Sequence, residues 1–559
     1  MRSAPWWKEA TIYQIYPRSF FDSNGDGEGD LPGITSQLDY VKNLGVDAIW
    51  LSPFYTSPNK DGGYDVANPR DVDPRFGNLD DAKELIAQAH KRELRVIADI
   101  VPNHFSDQHA WFQAALKAGR GSKERERFHF YDANEDGTAP NNWISLFGGP
   151  SWTQVADGQF YLHLFDSSQP DLNWDNPEVN EDFEKTLRFW IDLGVDGFRI
   201  DVAHGLVKED VLKNHPDPQG LSNALRLDVA MDSEVRNALL LTVPYFDRQG
   251  VHEIYRKWRK LFDSYGEREI MAVAEAWVHP ATRIARYLRP GELMNSFNFE
   301  FLGSKWDVNE IKTNINKSIE ALSEVGAPSS WVFNNHDVVR SVDRFDLGLG
   351  LSGGTTLERQ GDRSKFNLQR GRKRAKAGAL LMFALPGGAY VYQGEELTLP
   401  EARDIPEDRL SDPRWKMSDY TDRGRDGCRV PLPWKKDSKG AFGFSNNSKL
   451  TPNDSWLPQS DNWGEFSVEL QENDPTSSLN LYRKALEIRK SQSGLGDGPM
   501  SWVDAGSDVV AFSRPGNFYC YLNLGEPIEL PKNINILVSS SPIEDGKLPT
   551  DTAIWFIGN

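Results

Sequence analysis

Short apolar runs recur along the chain, and several of them end abruptly in a charged or polar residue. Ala10-Thr11-Ile12-Tyr13-Gln14-Ile15-Tyr16-Pro17 is β-branched and aromatic and is closed by proline, so it reads as a first strand. Asp47-Ala48-Ile49-Trp50-Leu51-Ser52-Pro53 and Leu94-Arg95-Val96-Ile97-Ala98-Asp99-Ile100-Val101 follow, separated by helix-like residues 34–44 and 80–90. The rhythm resumes with a helical stretch at 178–193 and the run Gly197-Phe198-Arg199-Ile200-Asp201, then Ile270-Met271-Ala272-Val273-Ala274-Glu275. Residues 294–299, an amphipathic 308–323, Trp331-Val332-Phe333-Asn334-Asn335-His336-Asp337, a helical 372–385 and Gly388-Ala389-Tyr390-Val391-Tyr392 complete the series. Strands buried on both faces read as such continuous apolar runs. Eight strand and helix pairs predict an α/β fold, a (β/α)8 TIM barrel, built from residues 1–102 and 175–492.

Two stretches break the rhythm. Residues 103–174 are polar and aromatic and too long for a structureless loop, which predicts an inserted subdomain after the third strand. From 493 to 559 only short β-like runs occur, such as Val509-Val510-Ala511-Phe512, predicting a C-terminal all-β, sandwich-like domain. The Asn-, Ser- and Pro-rich stretch 437–461 reads as a surface loop over the barrel mouth.

Composition narrows the function. The chain has 559 residues, 39% hydrophobic and 26% charged, which suffices for a large core in two or three domains. Its 18 Trp exceed ordinary packing needs and offer platforms for sugar rings. A net charge of -19 argues against nucleic acid and anionic membranes as partners, because the long-range field repels both. Two cysteines, Cys428 and Cys520, build neither a disulfide framework nor a Cys-based metal site. No apolar run reaches the length of a membrane span or signal segment, so a cytoplasmic enzyme, monomer or homodimer, is expected.

The candidate chemistry lies at the strand ends. In a parallel barrel, Asp201, Glu275 and Asp337 would all face one mouth. Arg199, two residues before Asp201, projects to the same side of its strand and should lower the Asp201 pKa. Three carboxylates converging with Arg199, His104 and His336 would repel one another at a cost that only a function justifies. Glu275 sits between Ala274 and Ala276 with Trp277 nearby, an apolar setting that raises a carboxyl pKa. A separate loop, Asp22-Ser23-Asn24-Gly25-Asp26-Gly27-Glu28-Gly29-Asp30, places oxygen-bearing side chains at alternate positions and reads as a structural Ca²⁺ site, with Mg²⁺ as the alternative. Its candidate ligands are Asp22, Asn24, Asp26, Glu28 and Asp30; it lacks the acidic twelfth residue of an EF-hand.

Asp99-Ile100-Val101-Pro102-Asn103-His104, Gly197-Phe198-Arg199-Ile200-Asp201, Glu275-Ala276-Trp277 and Phe333-Asn334-Asn335-His336-Asp337 resemble, in order, the four signature regions of glycoside hydrolase family 13, the α-amylase family. Trp6-Trp7-Lys8, Arg18-Ser19-Phe20 and Gln169-Pro170-Asp171-Leu172-Asn173-Trp174 are similar to its oligo-1,6-glucosidase and α-glucosidase branch. The resemblance implies Asp201 as nucleophile, Glu275 as acid/base and Asp337 as transition-state stabiliser, acting on short α-glucosides by double displacement. It further implies that His104 and His336 bind glucose hydroxyls, that Asp61, Tyr64 and Arg425 form the far wall of the pocket, and that Phe165 and Gln169 line it. A pocket closed by Asp61 and an arginine implies an exo-acting enzyme; the run 422–429 offers several arginines for that pair. Val202 after the nucleophile goes with α-1,6 preference in this branch. The neighbouring Ala203-His204-Gly205 and Arg429-Val430-Pro431-Leu432-Pro433-Trp434 depart from the branch patterns and leave the linkage open. His204 reaches a second subsite or caps a helix. A transglycosylase or isomerase on the same fold, such as a sucrose isomerase or trehalose synthase, would share the carboxylates. The non-catalytic barrel subunits of amino-acid transporters lack the full set and carry a membrane helix, unlike this chain.

Overall fold

The structure, a computed structural model, describes residues 5–225, 231–278, 280–350 and 363–558, so residues 1–4 of the amino-terminal stretch and Asn559 fall outside it. Eight parallel strands form the central sheet: β1 (Thr11–Ile15), β2 (Ala48–Leu51), β3 (Arg95–Ile100), β4 (Gly197–Ile200), β5 (Met271–Ala274), β6 (Asn295–Ser296), β7 (Ser330–Val332) and β8 (Gly388–Tyr392). Their spatial order, β6-β5-β4-β3-β2-β1-β8-β7, is that of a barrel with its seam between β6 and β7. At that seam the Ser330 hydroxyl donates to the Asn295 side-chain carbonyl, a side-chain clasp where no ladder forms.

Alternation along the strands sorts the residues into two cores. Ile12, Ala48, Trp50, Ile97, Met271, Val273, Val332 and Tyr390 fill the barrel interior. Tyr13, Ile15, Ile49, Val96, Ala98, Phe198 and Ala272 face outward, under helices that include Leu79–Lys91, Pro177–Leu193, Val251–Asp263, Val308–Ser323, Leu368–Ala384 and Ser478–Ser491. These helices are stopped and started by recognisable residues. Asn78 and Asp81 form a capping box, and Pro177–Leu193 begins at a capping Asn176 with proline at N1 and ends at Gly194 in the left-handed region.

Between β3 and β4 the chain forms the helix Ala110–Ala118 and a three-stranded antiparallel sheet of Phe130–Asp132, Gln159–Leu162 and Trp152–Gln154. After Ser478–Ser491 comes an antiparallel sheet of β9 (Ser501–Trp502), β10 (Val509–Arg514), β11 (Phe518–Asn523), β12 (Asn535–Ser539) and β13 (Thr552–Ile557). Two features add to the sequence reading. The excursion between β4 and Val251–Asp263 carries its own helices, Pro218–Leu225 and Ser233–Leu240. The stretch 437–461 packs on the loop after β1, where Trp456 N donates to Gly27 O and Asn447 Nδ2 to Gly25 O, and none of its residues lines the cavity at the barrel mouth.

Candidate active site

Gly197 opens β4 because a Cβ there would lie 2.5 Å from Met271 Cγ; its absence lets β4 and β5 close on each other. Past their ends the ladder continues for one bond, Asp201 N to Ile100 O and Glu275 N to Ile200 O, both at 2.9 Å. Backbone pairing therefore places the two carboxylates side by side on the rim. Arg199 joins them: Nη1 donates to Asp201 Oδ1 at 2.6 Å, and Nη2 lies 3.4 Å from Glu275 Oε2. The same guanidinium donates to Asp99 Oδ1 at 2.9 Å and lies over Trp50.

The two carboxylates differ in what holds them. Asp201 has the cationic Arg199, whereas Glu275 accepts from two neutral donors, the Val202 amide at 2.8 Å and the Trp277 indole at 2.6 Å. Burial pushes Asp201 up, Arg199 draws it down, and Glu275, Asp99 and Asp337 push it up again, so its net direction is upward. This corrects the expectation that Arg199 alone would lower it: the arginine is shared among three carboxylates, and burial outweighs its share. Burial raises Glu275 as well. Two raised carboxyls around one guanidinium titrate as a pair, and the charge is best held on the one in direct contact with Arg199.

Asp337 lies five residues past β7, so its position is set by loop contacts. Arg425 Nη1 and Arg429 Nη2 donate to its Oδ1 at 3.1 and 3.0 Å. Burial opposes ionisation, but these cations hold it well below the usual carboxylate range. His336 is pushed down to about 3 by burial and is neutral near pH 7. It lies 2.7 Å from Gln14 Nε2 and 2.7 Å from the Tyr64 hydroxyl, whose ring stacks on it at 5.3 Å and 1°.

These side chains meet at a cavity of about 510 Å³. Asp61, Tyr64, His104, Phe165, Val202 and Arg425 line it with the three carboxylates, while Arg199, Gln169 and His336 stand behind the wall. Arg425 is the arginine that pairs with Asp61, at 2.7 Å, and Asp412 braces it from behind at 2.6 Å. Gln169 Nε2 lies 3.2 Å from Asp61 Oδ2 and 3.1 Å from His104 Nε2. Phe165 packs on His104 and on Phe147 while still facing the cavity. His204 also lines the cavity, against Phe246, and caps none of the helices among the described residues. Val202 has φ +44°, rare for a β-branched residue, and this aims its amide at Glu275.

Sequence reasoning missed Asp99, Arg429, Asp412, Gln14 and Phe147. Asp99 interrupts an apolar run within β3, a charged residue in an otherwise buried strand; the others sit in loops or on a strand without such a mark.

In the loop after β1, Asp22 accepts from the amides of Gly25 and Gly27, Asn24 from Asp26 N, and Asp26 from Glu28 N. Asp30 accepts from Ser23 and caps Leu31–Ser36, and Glu28 pairs with Arg18 at 2.7 Å. Among the described residues no three His, Cys, Asp or Glu side chains converge as a metal site.

A (β/α)8 barrel with three carboxylates, paired arginines and aromatic walls at its carboxyl-terminal mouth is built for cleaving glycosidic bonds. The family description "Alpha amylase, catalytic domain" matches residues 14–498, and the chain belongs to this α-amylase family of glycoside hydrolases. It is 38% identical to a probable alpha-glucosidase of Rhizobium meliloti (strain 1021), over 93% of this chain and 90% of that one. It is 35% identical to an oligo-1,6-glucosidase of Parageobacillus thermoglucosidasius, over 87% and 84%. Among solved structures, that of the alpha-glucosyl transfer enzyme XgtA superposes with a TM-score of 0.84 at 33% identity, covering 100% of both chains.

Proposed function

We propose that the protein is a retaining, exo-acting α-glucosidase that releases α-glucose from the non-reducing end of short α-glucosides of the maltose and isomaltose type. The carrying observation is the Arg199 guanidinium spanning Asp201 and Glu275, with unlike donors on the two carboxylates. The ionised Asp201 attacks the anomeric carbon while Glu275 protonates the departing oxygen, giving a glucosyl ester and a free alcohol. Glu275, now a carboxylate, takes a proton from water, which attacks the same carbon and releases Asp201. Asp337, held ionised by two arginines, accepts from sugar hydroxyls as charge develops on the ring.

Exo action rests on the Asp61–Arg425 pair in the cavity wall, the pair that the resemblance places beyond a single non-reducing glucose. Maltotriose should first yield glucose and maltose in equal amounts, and a substrate blocked at its non-reducing end should survive; cleavage of the blocked substrate would contradict exo action. Val202 supports a preference for α-1,6 bonds. Val202→Thr should move the ratio of kcat/KM for isomaltose over maltose toward maltose by about tenfold, on the order of what one pocket group discriminates. Competition assays on the two disaccharides read this directly.

The covalent intermediate also admits a sugar hydroxyl in place of water. The likeness to an alpha-glucosyl transfer enzyme and the apolar lining by Phe246, Leu240 and Trp277 favour some transfer. New linkages at high substrate would measure it.

The loop after β1 offers only oxygen donors, the chemistry that a structural Ca²⁺ or Mg²⁺ takes, although its carboxylates do not converge on one point in this structure. Asp22, Asn24, Asp26 and Asp30 are the ligands of that proposal, with Glu28 retained by Arg18. Removal of the metal by a chelator should lower Tm by several degrees, and elemental analysis should find about one Ca²⁺ per chain; an unchanged Tm would remove the ion. No helix among the described residues is long and apolar enough to cross a membrane. A cytoplasmic location, a monomer or homodimer, and no nucleic-acid partner complete the proposal, supported by the charge and the two free, buried cysteines.

A further inference from the structure

A carboxylic acid that delivers a proton must present it toward the substrate, and the partners of Glu275 bear on that requirement. Its Oε1 accepts from Trp277 Nε1 at 2.6 Å and its Oε2 from the Val202 amide at 2.8 Å. Both partners are donors only; neither an indole N–H nor a backbone N–H can accept the carboxyl proton. Trp277 is itself fixed, its ring stacked on Phe299 with centroids 3.6 Å apart and planes 18° from parallel. The Val202 amide is fixed by the left-handed backbone that turns it toward Glu275.

We propose that Trp277 is a positioning residue for acid catalysis: its indole occupies one lone pair of Glu275 Oε1 and, with the Val202 amide on Oε2, limits the carboxyl proton to the remaining lone pairs of a group that lines the cavity. This rests on the reading of Glu275 as the acid. The proton goes from Glu275 to the departing oxygen as the bond from the anomeric carbon to that oxygen breaks. The resulting carboxylate keeps both N–H bonds, which favour the charged form that must later take a proton from water. A wall-forming tryptophan would also stack on a sugar, but stacking has no bearing on the leaving group's need for a proton.

The test is Trp277→Phe, which keeps the stack and removes the donor, beside Phe299→Leu, which weakens the stack and keeps the donor. With maltose or isomaltose, whose alkoxide leaving groups need the proton, Trp277→Phe should lower kcat about tenfold or more, the low end of what general acid catalysis supplies. With 4-nitrophenyl α-glucoside, whose phenolate leaves without much help, kcat should fall less than about twofold in the bond-breaking step. The alkaline limb of kcat/KM should move to higher pH, because the carboxylate loses a donor. Phe299→Leu should show the same leaving-group dependence more weakly. An equal loss on both substrates, carried by KM with an unmoved alkaline limb, overturns the proposal and leaves Trp277 as a wall. Glu275→Gln separates this from the underlying reading. If it too shows no dependence on the leaving group, Glu275 is not the acid.

Discussion

Asp201→Asn is expected to lower kcat on maltose or isomaltose on the order of 10⁴-fold or more, the scale seen when a covalent nucleophile is removed from an intact site. Asparagine keeps the size and one acceptor for Arg199, so the constellation stays assembled, but it forms no glucosyl ester. KM should change little, since His104, His336, Asp337 and the Asp61–Arg425 pair remain in place. Stability should be equal or greater. Burial and three neighbouring carboxylates make the Asp201 charge costly, and removing it relieves that cost at the expense of activity. Steady-state kinetics and a thermal melt check both halves, and a variant keeping a tenth of its turnover would exclude Asp201 as the nucleophile.

Glu275→Gln should separate the two chemical steps. With sugar leaving groups kcat should fall between about 10² and 10⁴-fold, because no acid remains. With an aryl glucoside the first step should proceed and the second stall, as water has lost its base. A burst of phenolate and a chain heavier by one glucosyl unit, seen by mass spectrometry, are the expected signatures. Azide, which attacks without a base, should restore turnover and give α-glucosyl azide. The pH profile gives a further reading. Burial raises Glu275 above the ordinary glutamate value, so the acid form persists to higher pH and activity is lost as pH rises through its pKa. In the glutamine variant that alkaline limb should be missing.

The barrel was legible because parallel strands covered on both faces leave continuous apolar runs, and those runs broke at the rim, where chemistry sits. Gly197-Phe198-Arg199-Ile200-Asp201 carried strand, arginine and carboxylate in five residues, and period-two geometry put Arg199 beside Asp201 as observed. The same argument failed on the sign of the Asp201 shift. A sequence shows a neighbour two residues away but not that Asp99 and Glu275, from adjacent strands, share the same guanidinium.

Asp337 shows a second limit. Its carboxylate is fixed by Arg425 and Arg429 from the loop after β8, about ninety residues downstream, and no local pattern announces that contact. The resemblance named Arg425 within the arginine-rich run 422–429, and the fold shows it paired with Asp61, while Arg429 binds Asp337 and the His336 carbonyl. The stretch 437–461 shows a related limit. Polarity marks a segment as surface but does not say which surface, and Trp456, stacked on Tyr16 and under Arg18, draws it to the loop after β1.

The most direct test of double displacement at Asp201 and Glu275 is proton NMR of the anomeric region during the first turnovers of isomaltose or maltose, before mutarotation blurs the product. A nucleophilic Asp201 beside Glu275, with Arg199 between them, predicts retention, so α-glucose should appear first and convert slowly to the equilibrium mixture. β-Glucose appearing first would mean a single displacement, and the assignment of Asp201 as a nucleophile would be wrong.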